Sequence, residues 1–248
     1  MFRPRVALAS LSGEADADWA RRAAGHVGCA FLGGVALDGP TRAAARQLAD
    51  RDRSEFVPAD PIAFVDEQLR ALADAPLRPA FNVRSASLGP IERAAAVCRD
   101  HDAILELNAH CRQDEMCAAG AGEALLRDPE ALAAQVRTAA DAGADVSVKV
   151  RAEVDGVALP ELARRIETAG AEAIHIDAMD SESVVADIAD VTALFVIANN
   201  GVRDRATARE YFAYGADAVS VGRASDDPDV LAAARAAADS WATQEVTG

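Results

Sequence analysis

Apolar residues recur along this chain in two alternating rhythms, short β-type runs and longer stretches with one apolar helical face. The short runs predict strands at Arg5–Ser10, Cys29–Val35, Ala80–Arg84, Ala103–Leu107, Asp145–Val150, Ala173–Asp177, Leu194–Ala198 and Asp217–Val221. Between them, helical patterns cover Ala15–His26, Pro61–Ala73, Pro90–Asp100, Pro129–Ala142, Leu159–Ala169, Ser181–Ile188, Arg205–Tyr214 and Pro228–Ala242. Several open with an early proline (Asp60-Pro61, Gly89-Pro90, Asp128-Pro129, Asp227-Pro228), as helix starts prefer. Three run into Ala142-Gly143-Ala144, Ala169-Gly170-Ala171 or Tyr214-Gly215-Ala216, where glycine suits the left-handed residue that ends a helix. Leu37–Ala59 carries only a weak helical pattern and is expected to be a long charged loop.

Eight β-then-α units in 248 residues match the size and rhythm of a single-domain α/β protein, a (β/α)8 TIM barrel spanning 1–248. A doubly wound open sheet would show roughly five to seven strands and an early Gly-rich fingerprint, and none follows the first strand. No apolar run approaches the roughly 20 residues of a membrane span. The N-terminus shows no cleavage signal, so a cytoplasmic protein without a membrane partner is expected. Cys29, Cys98, Cys111 and Cys117 match no tetrahedral zinc spacing and are too few for a disulfide scaffold, so no metal site is expected.

Charge sharpens the picture. Forty acidic residues against 25 basic give a net charge of −15, and every basic residue but Lys149 is arginine. Such a surface fits adaptation to high salt and argues against DNA as a partner. A single lysine in a chain that otherwise uses arginine invites a chemical role.

Reactive groups of barrels gather at the C-terminal ends of the strands. There the chain offers Ser10, Asn82, Asn108, Cys111, Lys149, Arg151, His175, Asn199, Asn200, Gly201, Gly222 and Arg223. The turns Asn200-Gly201 and Gly222-Arg223 follow strands seven and eight, where barrels bind phosphate. Lys149 could balance negative charge on a reduced flavin ring, and Asn82 offers an amide to a ring edge. Phosphate site, cation and amide together describe a flavin mononucleotide (FMN) pocket better than a sugar-phosphate pocket, for which no carboxylate pair is seen on the rim.

Most of these residues lie in an ordered series of motifs: Glu106-Leu107-Asn108-Ala109-His110-Cys111, Gly120 to Pro129, Val148-Lys149-Val150-Arg151, Ile174-His175, Val196 to Gly201, and Val221-Gly222-Arg223-Ala224, with Ser10 in the opening stretch Ala7 to Gly13. In order and spacing, from Ala7 to about Pro228, the chain resembles the tRNA-dihydrouridine synthases, flavin barrels related to dihydroorotate dehydrogenase. The resemblance implies FMN held by Ser10, Asn82, Lys149, His175, Asn199, Asn200, Gly201, Gly222 and Arg223. It implies that Asn108 and Arg151 orient a uracil-like ring and that Cys111 is the general acid; the electron donor stays open, with NADPH as the candidate if the substrate is uridine in tRNA.

The chain departs from the family pattern in places. His110-Cys111-Arg112 stands where the family has Gly-Cys-Pro, and Ala9-Ser10-Leu11 where it has Ala-Pro-Met. The chain ends about 20 residues after the last motif, with no counterpart expected for the family's C-terminal tRNA-gripping helical domain. The substrate stays open between uridine in tRNA and a small pyrimidine-like molecule, and no oligomeric state is implied. Two alternatives also stand: a non-catalytic flavin- or phosphate-binding barrel, and a flavin-free metabolic barrel using Lys149 as a Schiff-base amine.

Overall fold

The computed structural model describes residues 1–245. Eight parallel strands close into one barrel in chain order: β1 (Val6–Leu8), β2 (Cys29–Ala36), β3 (Arg78–Arg84), β4 (Ile104–Asn108), β5 (Asp145–Arg151), β6 (Ala173–Asp177), β7 (Phe195–Asn199) and β8 (Ala218–Val221). The helices are α1 (Ala17–Ala23), α2 (Gly39–Ala49), α3 (Pro61–Arg70), α4 (Leu88–Asp100), α5 (Asp114–Ala118), α6 (Pro129–Asp141), α7 (Leu159–Thr168), α8 (Val184–Ala189), α9 (Arg205–Ala213) and α10 (Pro228–Glu245). The expected (β/α)8 TIM barrel is thus the fold. Gly143, Gly170 and Gly215 take φ of +86°, +106° and +90°, the left-handed helix ends anticipated from the sequence. Among the described residues no helix is long and apolar enough to cross a membrane.

Each strand is buried on both faces, and alternate residues serve different neighbours. Outward-facing residues such as Leu32, Leu105, Val148, Ile176 and Val196 join the large core under the helices. Inward-facing Ala7, Cys29, Phe31, Ala80, Ile104, Ala173, Ile197 and Ala218 form a separate apolar plug. Two residues further along β3, β4, β6, β7 and β8 come Asn82, Glu106, His175, Asn199 and Ser220, all buried. The inner face therefore turns from apolar to polar along the strands.

The segment Leu37–Ala59, expected as a loop, contains the 11-residue helix α2. Its helical signal is weak because the face it buries is small (Thr41, Ala44, Ala45 and Leu48). The decision comes from Asp38, which is only 7% exposed. Its Oδ1 accepts from the Thr41 amide at 2.9 Å and the Thr41 hydroxyl at 2.7 Å, closing a capping box. Its Oδ2 accepts from Ser85 Oγ at 2.9 Å and the Ala86 amide at 2.6 Å, tying the helix start to the end of β3. Helix α5, also unanticipated, buries Met116 against Ala44, Leu48 and Ala121 of the same cluster. The two helices thus stand together beside the mouth.

Burial alone would push the Asp38 carboxyl up, but its four donors outweigh that and hold it below the usual carboxylate range. Asp38→Ala should cost about 2 kcal/mol, combining a lost cap with orphaned buried donors. Urea unfolding at pH 7 measures it. The deficit should shrink as the pH falls below about 4, where the carboxyl of the unfolded chain begins to protonate while that of the folded chain is still ionised.

Candidate active site

The polar inner faces of β3 to β8 open into two adjoining cavities of about 320 and 520 Å³ at the C-terminal ends of the strands. The first lies against the ends of β7 and β8 and is lined by Leu11, Asn199, Asn200, Gly201, Arg203, Gly222 and Arg223. The second lies toward β3–β5 and is lined by Asn82, Asn108, Cys111 and Arg151. Ser10, His110, Lys149, Asp177, Asn200 and Arg223 line both, so the cavities form one cleft with Lys149 at their junction.

Glu106 anchors what lies beneath. Fully buried on β4, it accepts from Asn82 Nδ2 at 2.7 Å, bonds His175 Nδ1 at 2.6 Å and lies 3.4 Å from Ser147 Oγ. An ionised carboxylate can only accept, so it turns the Asn82 NH2 toward itself and leaves Asn82 Oδ1 facing away. That oxygen accepts from Asn108 Nδ2 at 2.9 Å. Asn108 Oδ1 in turn accepts from the amides of His110 at 3.1 Å and Cys111 at 2.9 Å. A buried charge thereby sets, through two side-chain amides, the loop that carries the thiol. Gly122 (φ +64°) closes the same loop from outside. A Cβ there would lie 2.3 Å from the Cys111 carbonyl oxygen, which accepts from the Glu123 amide at 2.8 Å.

Burial would push the Glu106 carboxyl up, but His175, Lys149 and Asn82 outweigh it and hold the group below its usual range. Lys149, 3% exposed, is pushed down by burial and partly held up by the carboxylates of Glu106 and Asp177. Its Nζ lies 3.5 Å from Ser10 Oγ. On the rim, Asp177 bonds His110 Nε2 at 2.5 Å and accepts from Asn200 Nδ2 at 2.9 Å. Burial pushes Asp177 up, and these hydrogen bonds more than reverse it, leaving the carboxyl far below the ordinary range. Asn200 Oδ1 also accepts from the Gly201 amide at 2.9 Å, and Tyr211 donates its hydroxyl to the Asn200 carbonyl at 2.8 Å, steadying the turn after β7.

The cleft brings together Ser10, Asn82, Asn108, Cys111, Lys149, Arg151, Asn199, Asn200, Gly201, Gly222 and Arg223. His175 is the exception. It lines neither cavity, because its Nε2 is 2.7 Å from Ser220 Oγ, its Nδ1 meets Glu106, and Phe31 packs on the ring at 4.9 Å. The histidine that faces the cleft is His110. The rim also carries carboxylates: Asp177, which the sequence places at the end of β6, in both cavities, and Glu55, Glu153 and Asp180, which it does not suggest there, in the second. Strand alternation signals Glu106 and Asp177, two residues from Asn108 and His175, but nothing local signals Glu55. It arrives through a buried 2.7 Å ion pair with Arg84. Cys117 stays outside the cavities, with Sγ 3.5 Å from the Cys111 carbonyl.

A closed parallel barrel with a polar cleft at its C-terminal mouth, a buried ammonium in the floor and a thiol on the wall defines a barrel enzyme. The chain belongs to the dihydrouridine synthase family, whose sequence profile matches residues 36–246. An uncharacterized protein of Methanocaldococcus jannaschii is 25% identical over 232 residues, 88% of each chain. Among solved structures, FabK from Thermotoga maritima superposes with a TM-score of 0.58 at 15% identity, covering 89% of this chain and 58% of that one. A point mutant of the same FabK gives 0.59 at 16%, covering 89% and 62%. At such identities the likeness is one of fold, and the chain spans about 60% of those structures' length. Family and architecture together make it a flavin-dependent oxidoreductase on a TIM-barrel scaffold.

The residues present fit a flavin. The first cavity combines Arg203 and Arg223 with backbone at the ends of β7 and β8. Lys149 sits where the two cavities meet, and the Arg151 Nε, buried without a partner, borders the second.

Two outcomes follow from the geometry. Glu106→Gln gives Asn82 a neighbour that can donate as well as accept, so the direction of both amides is lost. It should cost about 3 kcal/mol in urea unfolding and change the rate at which a thiol reagent labels Cys111. For Asp177, whose carboxyl is depressed on folding, stability is complete above the ordinary aspartate value and is lost as acid approaches the lowered one. Stability should therefore rise from about pH 2 to pH 5 more steeply in the wild type than in Asp177→Asn, as thermal melts across that range would record.

Proposed function

We propose that this protein is an FMN-dependent oxidoreductase of dihydrouridine synthase type, acting on a C=C bond conjugated to a carbonyl in a uracil-like ring. The observation that carries it is the position of Lys149, the chain's one lysine, between a cationic cavity at β7–β8 and a cavity walled by Cys111, Asn108 and Arg151. Arg203, Arg223 and the backbone near Gly222 would hold the phosphate of FMN, and Lys149 would balance negative charge on its ring. When bound, the flavin supplies a hydride, two electrons with one proton, to the ring carbon β to the carbonyl.

The protein's own groups do the rest. Hydride addition to an enone places negative charge on the carbonyl oxygen and leaves the α carbon in need of a proton. Arg151 and Asn108 orient the ring and stabilise that oxygen. The Cys111 thiol, fixed by Asn108 through its own amide N–H, gives its proton to the α carbon and recovers one from water. NADPH serves as the electron donor. Uridine in tRNA and small pyrimidine-like molecules both carry the required bond.

The purified protein should be yellow or become so on adding FMN. Lys149→Ala should weaken flavin retention, read by absorbance after gel filtration. Cys111→Ala should keep its flavin yet lose about 100-fold or more in uracil-ring reduction. A wild-type protein that stays colourless in excess FMN would overturn the assignment.

A further inference from the structure

The second cavity is lined by Arg53, from the segment after α2, and Arg112, next to the thiol, as well as by Glu55, Glu153, Asp177, Met179 and Asp180. A 2.6 Å ion pair between Arg51 and Glu115 ties the segment that carries Arg53 to α5, the helix that follows Arg112. Both arginines are exposed, and among the described residues neither guanidinium makes a hydrogen bond or an ion pair. Arg151 extends the cationic wall inward. Its Nε is buried without a partner, and its Nη1 lies 3.6 Å from Glu123, too far for a tight pair.

Guanidinium groups left unpaired at a cavity mouth suit a phosphate, which they bind through parallel charge-assisted hydrogen bonds. One such pair serves one phosphate. A polynucleotide needs a track of cations along its backbone, and a chain of net charge −15 repels the remainder of that track. We propose that the substrate is a free pyrimidine nucleotide, a monophosphate ester, with its phosphate held by Arg53 and Arg112 and its ring directed inward to Cys111. The proposal rests on the uracil-like substrate of the preceding section and adds the anionic group and its subsite. Met179, 49% exposed on the facing loop, offers apolar surface to the ribose or base edge.

Isothermal titration of the flavin-loaded protein with uridine 5′-monophosphate, uridine and a short uridine-containing RNA tests it. At 0.1 M salt the monophosphate should bind about tenfold or more tightly than uridine, and more tightly than the RNA. In the double variant Arg53→Gln/Arg112→Gln, whose exposed positions leave the fold intact by circular dichroism, that preference should fall to about twofold or less. Equal binding of uridine and its monophosphate overturns the proposal, as does a preference for the RNA, a preference that survives the double substitution, or no binding by any of the three. Flavin loading, read separately by absorbance, distinguishes these failures from failure of the redox assignment itself.

Discussion

An ionised carboxylate inside a barrel is expensive to bury, and its neighbours must supply donors from every side. In this protein that carboxylate is Glu106. Asn82, His175 and Ser147 surround it, and the positive charge of Lys149 acts on it from above. Each partner is thereby fixed in direction as well as place. Because Glu106 accepts, Asn82 must donate to it. Asn108 must then donate to Asn82, and its oxygen is left to hold the His110 and Cys111 amides. Cleft geometry follows from this one chain of obligations.

The same layer separates two environments. Below it, Ala7, Phe31, Ile104, Ile197 and their neighbours fill the barrel with apolar atoms and give stability. Above it, Lys149, Asp177 and His110 face a space large enough for ligands. Stability and chemistry are divided along the barrel axis, as the fold favours. Lys149 is the group most affected: burial works against its charge while Glu106 and Asp177 restore it. A cation so placed can respond to negative charge on a ring above it with little reorganisation.

Around the mouth, segments distant in sequence complete the walls. Asp38 converts a weakly patterned stretch into α2 by capping it and linking it to β3, and Arg84 draws Glu55 inward through a buried ion pair. Helices α2 and α5 then pack on each other beside Cys111. This side of the cleft distinguishes the chain within its family pattern, since His110 and Arg112 flank the thiol where glycine and proline usually stand. His110 is engaged by Asp177 across the cleft, while the Arg112 guanidinium bonds no side chain among the described residues.

The eight strands, most of the helices and the ordered rim from Asn82 to Arg223 were legible in the amino-acid order. Strand alternation and glycine-ended helices are local properties, and the barrel places strand ends on one rim regardless of detail. Cys111, Lys149, Asn108 and Arg151 could be named because each lies at or just past a strand end. What faces the cleft from within that rim depended on packing. His175 and Asp177 sit two residues apart on one strand with the same inward parity, yet one is consumed by Glu106 and Ser220 while the other opens to the cavity. Depth along the barrel axis separates them, and depth is set by the stagger between strands rather than by alternation. Likewise α2, Glu55 and the segment of Arg51 took their positions from hydrogen bonds and ion pairs to residues tens of positions away, which no local pattern encodes.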